Sequence, residues 1–129
     1  MVHVQAAIDI QASPAEVFRL LCDPELKTRL NPDVEVLHAA LVTPGPMAVG
    51  SRIFYRLRTA NGLCEFHCEV SAIESNRMIE WVSDTTPSFR VRQVVEATAG
   101  GCRLTHDEWL ETAAPVAAKA RKWSVAEIA

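Results

Sequence analysis

The sequence predicts an α+β domain in which two short helices follow a first strand, an antiparallel meander comes next, and a longer helix ends the chain. Three observations predict it. Residues Val2 to Gln11 alternate between apolar and polar side chains, as in a half-buried strand. Ser13-Pro14-Ala15-Glu16 carries the cap, the proline and the acidic residue that start a helix. Asn61-Gly62, between two alternating runs, is a strong hairpin signal.

Length and composition limit the classes of protein that fit. At 129 residues, we expect residues 1–129 to form one domain around one core. A hydrophobic fraction of 49% with 22% charged residues argues against a disordered chain. The net charge of −3 offers no basic field for nucleic acid or anionic lipid. With no long apolar stretch and no leader signal, we expect a cytoplasmic protein without membrane insertion.

The first half of the chain continues from the opening strand into helices. Asp23-Pro24 repeats the cap-then-proline signal before Leu26 and Leu30, which predicts a second short helix that Pro32 ends. Val34 to Val42 reads as a strand. The proline- and glycine-rich stretch from Thr43 to Gly50 reads as an irregular loop.

The second half is a meander with one helix at its end. Turn residues separate the predicted strands, which run from Ser51 to Thr59, Leu63 to Ile73, Met78 to Ser83, Ser88 to Ala97 and Cys102 to Leu110. In the second of these, we expect Cys64, Phe66, Cys68, Val70 and Ala72 to share one face. Good helix formers from Thr112 to Ala129 predict the last helix.

This order of elements resembles the helix-grip fold of the START-like, pollen-allergen-like and polyketide-cyclase-like (SRPBCC) superfamily, most closely its bacterial polyketide cyclase/dehydrase branch. The matching segments are Ile8 to Pro32, Val49 to Arg58 and Val94 to Trp109. The resemblance implies a seven-stranded curved sheet with the C-terminal helix over its concave face. That helix is short for the superfamily. Either it covers part of the sheet and leaves a wider mouth, or the natural chain continues.

The resemblance also implies a cavity between the sheet and the last helix, because a strongly curved sheet and one helix rarely fill their shared interior. Alternation along the strands selects the side chains that we expect to line it. They are Tyr55, Leu57, Phe66, Val70, Trp81, Phe89, Val91, Gln93, Leu104, His106 and Glu108 on the sheet, with Val116, Ala120 and Trp123 on the helix.

Four of these residues carry chemistry. His106 and Glu108 leave the same face of a strand with Cα atoms about 6.5 to 7 Å apart, so they are candidates for an acid–base pair; the alternative is a polar patch at the rim. Gln93 either orients a ligand or bonds to Tyr55 or His106. Tyr55 is expected to serve packing rather than proton donation.

Two other clusters suggest chemistry and are better explained by structure. Cys64, His67 and Cys68 are typical zinc ligands, but on a strand His67 points away from both cysteines, so we expect no metal and no cofactor. Five arginines share strands with acidic residues, which favours cross-strand pairing on a solvated face. These residues are Arg52, Arg56, Arg58, Arg90 and Arg92, with Glu65, Glu69, Glu80 and Glu96. The four cysteines are expected to be reduced thiols.

These observations leave three functional hypotheses. The first is a monomeric or homodimeric protein that binds an apolar or aromatic small molecule, such as a polyketide, lipid or isoprenoid. The second is an aromatase/cyclase- or dehydratase-type enzyme in which His106 and Glu108 move protons. The third is a stress-related or regulatory domain that acts through a partner protein, since this superfamily hosts many functions.

Overall fold

The computed structural model describes residues 2–24, 35–59, 62–85 and 88–110, which form one antiparallel seven-stranded sheet and a helix. The strands lie in the spatial order β1-β7-β6-β5-β4-β3-β2. Along the chain the elements are β1 (Val2–Ile10), α1 (Pro14–Leu21), β2 (Glu35–Leu41), β3 (Arg52–Thr59), β4 (Gly62–Glu74), β5 (Met78–Ser83), β6 (Phe89–Thr98) and β7 (Gly101–Leu110).

The meander predicted from the sequence is confirmed, and each strand begins and ends within one residue of its expected bounds. The second predicted helix, with Leu26 and Leu30, lies outside the described residues. The same is true of the C-terminal helix predicted from Thr112 to Ala129. No helix in the described ranges is long and apolar enough to cross a membrane.

Helix α1 starts where its capping residues predict. The Ser13 hydroxyl accepts a hydrogen bond from the Glu16 backbone N–H at 3.2 Å, and Pro14 occupies the first turn. The apolar side of the helix buries Val17, Phe18 and Leu21 in the main core cluster, and the helix packs against β6. Because α1 follows β1 after a short link, it covers the inner side chains near the β6–β7 turn.

A pairing between the two ends of the described chain adds β1 to the sheet as an edge strand. Strand β7 lies between β1 and β6, with Val2 opposite Leu110 on one side and Phe89 opposite Leu110 on the other. This places the β1 side chains that alternate inward beside the inward side chains of β7. The burial of β1 alternates residue by residue, as the sequence predicts.

Two irregularities in the pairing bend the sheet. One lies in β2 between Val36 and His38, and the other in β4 between Val70 and Ala72. The second corrects the expectation that Ala72 shares a face with Val70. Ala72 pairs instead with Glu80 on the opposite face, and Ile73, opposite Ile79, takes the inward position.

The face opposite the core carries the predicted charge pairs, and we call it the outer face. Pairs between neighbouring strands include Arg52 with Glu69, Arg56 with Glu65, Arg58 with Glu35 and Arg92 with Glu80. Most of these pairs are exposed, so each contributes little to stability. They account for four of the five arginines, and the fifth, Arg90, lies over the ring of Trp109.

The core lies on the other side of the sheet, which we call the inner face. Its largest fully buried apolar side chains are Ile53, Ile79 and Leu104. Cys68 and Cys102 are buried among them as small hydrophobes, and no disulfide links any of the four cysteines, all of which lie in the described ranges.

Gly101 fixes the turn between β6 and β7 against the segment that leads into α1. Its φ of +150° lies in a region that side-chain-bearing residues rarely adopt. A Cβ at this position would also collide with the backbone oxygen of Ile10 and the backbone of Ala12. The backbone cannot yield easily there, because Ile10 is paired with Cys102.

We therefore expect Gly101→Ala to lower the free energy of unfolding by about 2 kcal/mol or more, through backbone strain and collision. Urea denaturation followed by circular dichroism measures this change. Gly100→Ala is the matched control, because a Cβ there meets nothing within 4 Å. Equal stability of the two variants would contradict the close approach at Gly101.

Candidate functional site

The structure brings the sequence-predicted sheet residues together on the inner face. Cross-strand partners link them in rows: Tyr55 lies opposite Phe66, Trp81 opposite Val70 and Val91, and Gln93 opposite His106. The predicted residues on this face are Tyr55, Leu57, Phe66, Val70, Trp81, Phe89, Val91, Gln93, Leu104, His106 and Glu108. Val116, Ala120 and Trp123, predicted on the last helix, lie outside the described residues.

Three polar side chains form a continuous hydrogen-bonded chain on this face, which we call the polar chain. The Gln93 amide nitrogen lies 2.9 Å from His106 Nδ1, and His106 Nε2 lies 2.6 Å from Glu108 Oε1. Gln93 is 0% exposed and Glu108 is 2% exposed. His106 lies between them with 17% of its side chain exposed, and Gln93 bonds to His106 rather than to Tyr55.

Burial dominates the electrostatics of Glu108. It raises the pKa of this carboxyl above its usual value, and the hydrogen bond and charge of His106 offset only part of the effect. The residues opposite Glu108 on the neighbouring strands are Val4 and Val91, whose side chains offer no donor. The carboxylate form is consequently costly in this setting.

Two atoms of the polar chain have no hydrogen-bond partner in the described part of the protein. They are Gln93 Oε1 and Glu108 Oε2, and both are buried. Native interiors pair nearly all buried polar atoms, so two unpartnered oxygens at the ends of one hydrogen-bonded chain need an explanation.

Aromatic side chains line the inner face beside the polar chain, in a series that we call the aromatic row. The rings of Tyr55 and Phe66 stack with centroids 5.4 Å apart, and Phe89 meets Phe66 edge-on at 5.6 Å. Phe66 on β4 and Phe89 on β6 reach each other past the end of β5, which lies between these strands and stops at Ser83. Burial, with a smaller contribution from Cys68, raises the pKa of Tyr55, so its phenol stays neutral.

Position along the strands separates the polar chain from α1. On β7, Cys102 lies opposite Ile10, where β1 ends before the helix, whereas Glu108 lies opposite Val4. Six strand residues span about 20 Å. Helix α1 therefore covers one end of the inner face, and Glu108 lies toward the other end.

The cluster of Cys64, His67 and Cys68 is divided between the two faces of β4. Cys68 is buried in the core, whereas His67 lies on the outer face with its Nδ1 3.5 Å from Asp84 Oδ2. In the described ranges no three histidine, cysteine or acidic side chains converge as metal ligands.

An open depression of about 350 Å³ lies beside this histidine. Its lining residues are Phe54, Glu65, Phe66, His67, Asp84 and Thr85. It is distinct from the polar chain, and its lining is largely polar or charged at the rim.

Sequence reasoning missed a second cluster, which lies on the outer face around Trp109. His3 stacks on the Trp109 ring at 4.8 Å, and the Arg90 guanidinium lies 4.4 Å from the ring centroid. Asp107 accepts hydrogen bonds from Gln5 at 2.8 Å and pairs with His3 at 2.7 Å. The signal was present in the alternation of β1 and β7, but finding the cluster requires knowing that these strands are neighbours.

Comparisons with solved structures identify the fold. Ara h 8.0201 is 13% identical with a TM-score of 0.76, and the match covers 98% of this chain and 91% of that one. A Mesorhizobium loti protein is 18% identical with a TM-score of 0.71, covering 98% and 90%. The Aha1 dimer of Colwellia psychrerythraea is 19% identical with a TM-score of 0.66, covering 97% and 90%. The neighbours are thus Aha1-like and Bet v 1-like proteins of the SRPBCC superfamily.

These identities are too low to carry more than the fold. No curated protein matches the chain in sequence. The family model described as polyketide cyclase / dehydrase and lipid transport matches residues 1–129, and the chain therefore belongs to that family.

Proposed function

We propose that this protein binds an apolar or aromatic small molecule of the polyketide, lipid or isoprenoid kind against the inner face of its sheet. The observation that carries the proposal is the polar chain of Gln93, His106 and Glu108, with both end residues buried, within an otherwise apolar and aromatic surface. Pockets for small molecules are typically apolar with a few placed polar groups. Both parts of that description occur together here.

The aromatic row supplies the apolar part of the proposed site. Tyr55, Phe66 and Phe89 come from three different strands and meet ring against ring. Flat, rigid rings of this kind favour contact with aromatic or planar ligands at low entropic cost. The family description, which covers polyketide chemistry and lipid transport, supports the same class of ligand.

Glu108 supplies the polar part. A carboxyl with apolar cross-strand neighbours and a raised pKa adds little to stability, and such perturbed groups concentrate at functional sites. We infer that Glu108 is kept for ligand recognition, at a cost to stability.

The aromatic row provides the first test. We expect N-phenyl-1-naphthylamine, an uncharged aromatic probe, to bind with a rise in fluorescence. Phe66→Ala should weaken its binding about 3- to 10-fold, because one aromatic contact is lost. Phe54→Ala is the matched control, since Phe54 lies on the outer face of the adjacent strand.

The two phenylalanines also separate the inner face from the outer depression, which both of them line. Weaker binding by Phe66→Ala alone supports the inner face. Weaker binding by Phe54→Ala, whether or not Phe66→Ala also weakens it, would move the probe to the outer depression and contradict the proposal, as would absence of binding to the wild type.

Glu108 and Glu80 provide a second test, because their pKa values shift in opposite directions. The pKa of Glu108 is higher in the folded protein than in the unfolded chain. The free energy of unfolding therefore falls as the pH rises from the unfolded pKa towards the folded one. For Glu80, burial would raise the pKa, but hydrogen bonds from Ser71 and Arg92 with nearby arginine charge lower it. Glu80 therefore stabilises the fold at pH values above its unfolded pKa, and this stabilisation is lost as the pH falls through its folded pKa.

Relative to Glu108→Gln, the wild type should lose on the order of 1 kcal/mol in the free energy of unfolding between pH 4 and pH 7. Relative to Glu80→Gln, the free energy of unfolding of the wild type should rise between pH 4 and pH 7. Urea denaturation at several pH values measures both differences. Parallel trends for the two variants would refute the assignment of Glu108 as a costly buried carboxylate.

A second candidate function rests on the 2.6 Å contact between His106 Nε2 and Glu108 Oε1. A histidine held by a carboxylate is a common general base, and proton transfer by this pair would suit an aldol-type cyclisation or a dehydration. In that case His106→Ala should slow turnover of a poly-β-ketone mimic about 100-fold or more. Equal rates for the wild type and the variant would remove the pair from the mechanism.

We propose that the protein is a monomer or a homodimer. One structural neighbour is a dimer, which supports the expectation of a monomer or homodimer without selecting between them. We propose a cytoplasmic location.

A further inference from the structure

We infer that the ligand presents an O–H or N–H donor to Glu108 and Gln93, so that the site selects hydroxylated or amine-bearing apolar molecules over those that carry only acceptors. This inference rests on the proposed function and specifies the chemistry that the site recognises. It is carried by the orientation of the hydrogen bonds within the polar chain and by the two atoms left unpaired at its ends.

The contact between Gln93 and His106 determines which atoms donate and which accept along the polar chain. The amide nitrogen of Gln93 can only donate, so His106 Nδ1 accepts at 2.9 Å. A neutral imidazole with an accepting Nδ1 carries its proton on Nε2. His106 Nε2 therefore donates to Glu108 Oε1 at 2.6 Å, and a ligand donor to Oε2 would favour the carboxylate form that burial otherwise disfavours.

Both atoms left over are acceptors. Once Gln93 and Glu108 have made these bonds, Gln93 Oε1 is a carbonyl oxygen, and Glu108 Oε2 is an acceptor in the ionised carboxyl. Neither has a partner among the described residues. Orphan acceptors buried to this extent cost free energy that a donor from a ligand would recover.

Apart from His106, the residues directly opposite these two on the flanking strands have apolar side chains. Glu108 faces Val4 on β1 and Val91 on β6, and Gln93 faces Ile79 on β5. A ligand carbonyl, ether or carboxylate placed here would meet acceptors of the same polarity. A phenol, an alcohol or an amine on an apolar skeleton would instead donate a hydrogen bond to these oxygens.

The test compares three naphthalenes that differ at one substituent. They are 2-naphthol, 2-methoxynaphthalene and 2-naphthoate, and each is measured by displacement of N-phenyl-1-naphthylamine at pH 7. We expect 2-naphthol to bind at least about tenfold more tightly than 2-methoxynaphthalene, because it alone of the pair donates to the carboxylate. The methoxy compound is the more apolar, so hydrophobic burial would favour the opposite order. Naphthoate should bind most weakly.

Variants assign the preference to Glu108. In Glu108→Leu the ratio of the two dissociation constants should fall to about one, and in Glu108→Gln, which keeps the shape but loses the charge, it should fall part of the way. Glu80→Gln is the matched control, because Glu80 is a buried carboxyl on the outer face. It should retain the wild-type ratio.

The outcomes separate this inference from the function on which it rests. If all three naphthalenes displace the probe equally, or if naphthoate binds most tightly, donor recognition is wrong and small-molecule binding stands. A preference for 2-naphthol that survives in Glu108→Leu and Glu108→Gln also overturns it. If neither the probe nor any naphthalene binds, the proposed function itself fails.

Discussion

The double pairing of β7 is the constraint on which the candidate site depends. One side of β7 pairs with β6, which sets Gln93 beside His106, and the other side pairs with β1, which sets Val4 beside Glu108. A slip of one residue would turn Glu108 to the outer face and bring Asp107 inside. The apolar side chains of β1 and β6 resist that slip, because it would expose them to water.

The same alternation places two kinds of carboxylate on opposite faces of one sheet. On the outer face, Glu80 accepts from Ser71 at 2.8 Å and from Arg92 at 2.7 Å, so its charge is well supported. On the inner face, Glu108 has His106 for one oxygen and no described partner for the other. The outer carboxylate belongs to the stability of the sheet, whereas the inner one is explained better by recognition than by packing.

Much of the fold was predictable because its signals are local. The Ser13 cap, the alternation of β1 and the strand bounds each follow from a few neighbouring residues. The break in β4 was not predictable, since no glycine or proline marks Ser71. Pairing with Glu80 reveals it only once β5 is in place.

The shared face of these polar residues was predictable, but the hydrogen bonds that join them were not. Alternation correctly gathered Gln93, His106 and Glu108 on one face, yet the bond between Gln93 and His106 depends on the register of two strands. The cluster around Trp109 was missed for the same reason, because it joins β1 to β7. The ligand could not be named from sequence, since members of one superfamily bind and transform different molecules on the same framework.

The pairing of β1 with β7 also bears on how the chain folds during synthesis. His3 and Asp107, which meet across β1 and β7, are separated by 104 positions in sequence. During synthesis the first strand leaves the ribosome with its apolar residues uncovered and waits for a partner that is among the last strands to emerge. Contacts between such distant segments form slowly. The unpaired β1 is thus the part of the nascent protein most in need of protection from aggregation, by the polar side chains on its other face or by a chaperone.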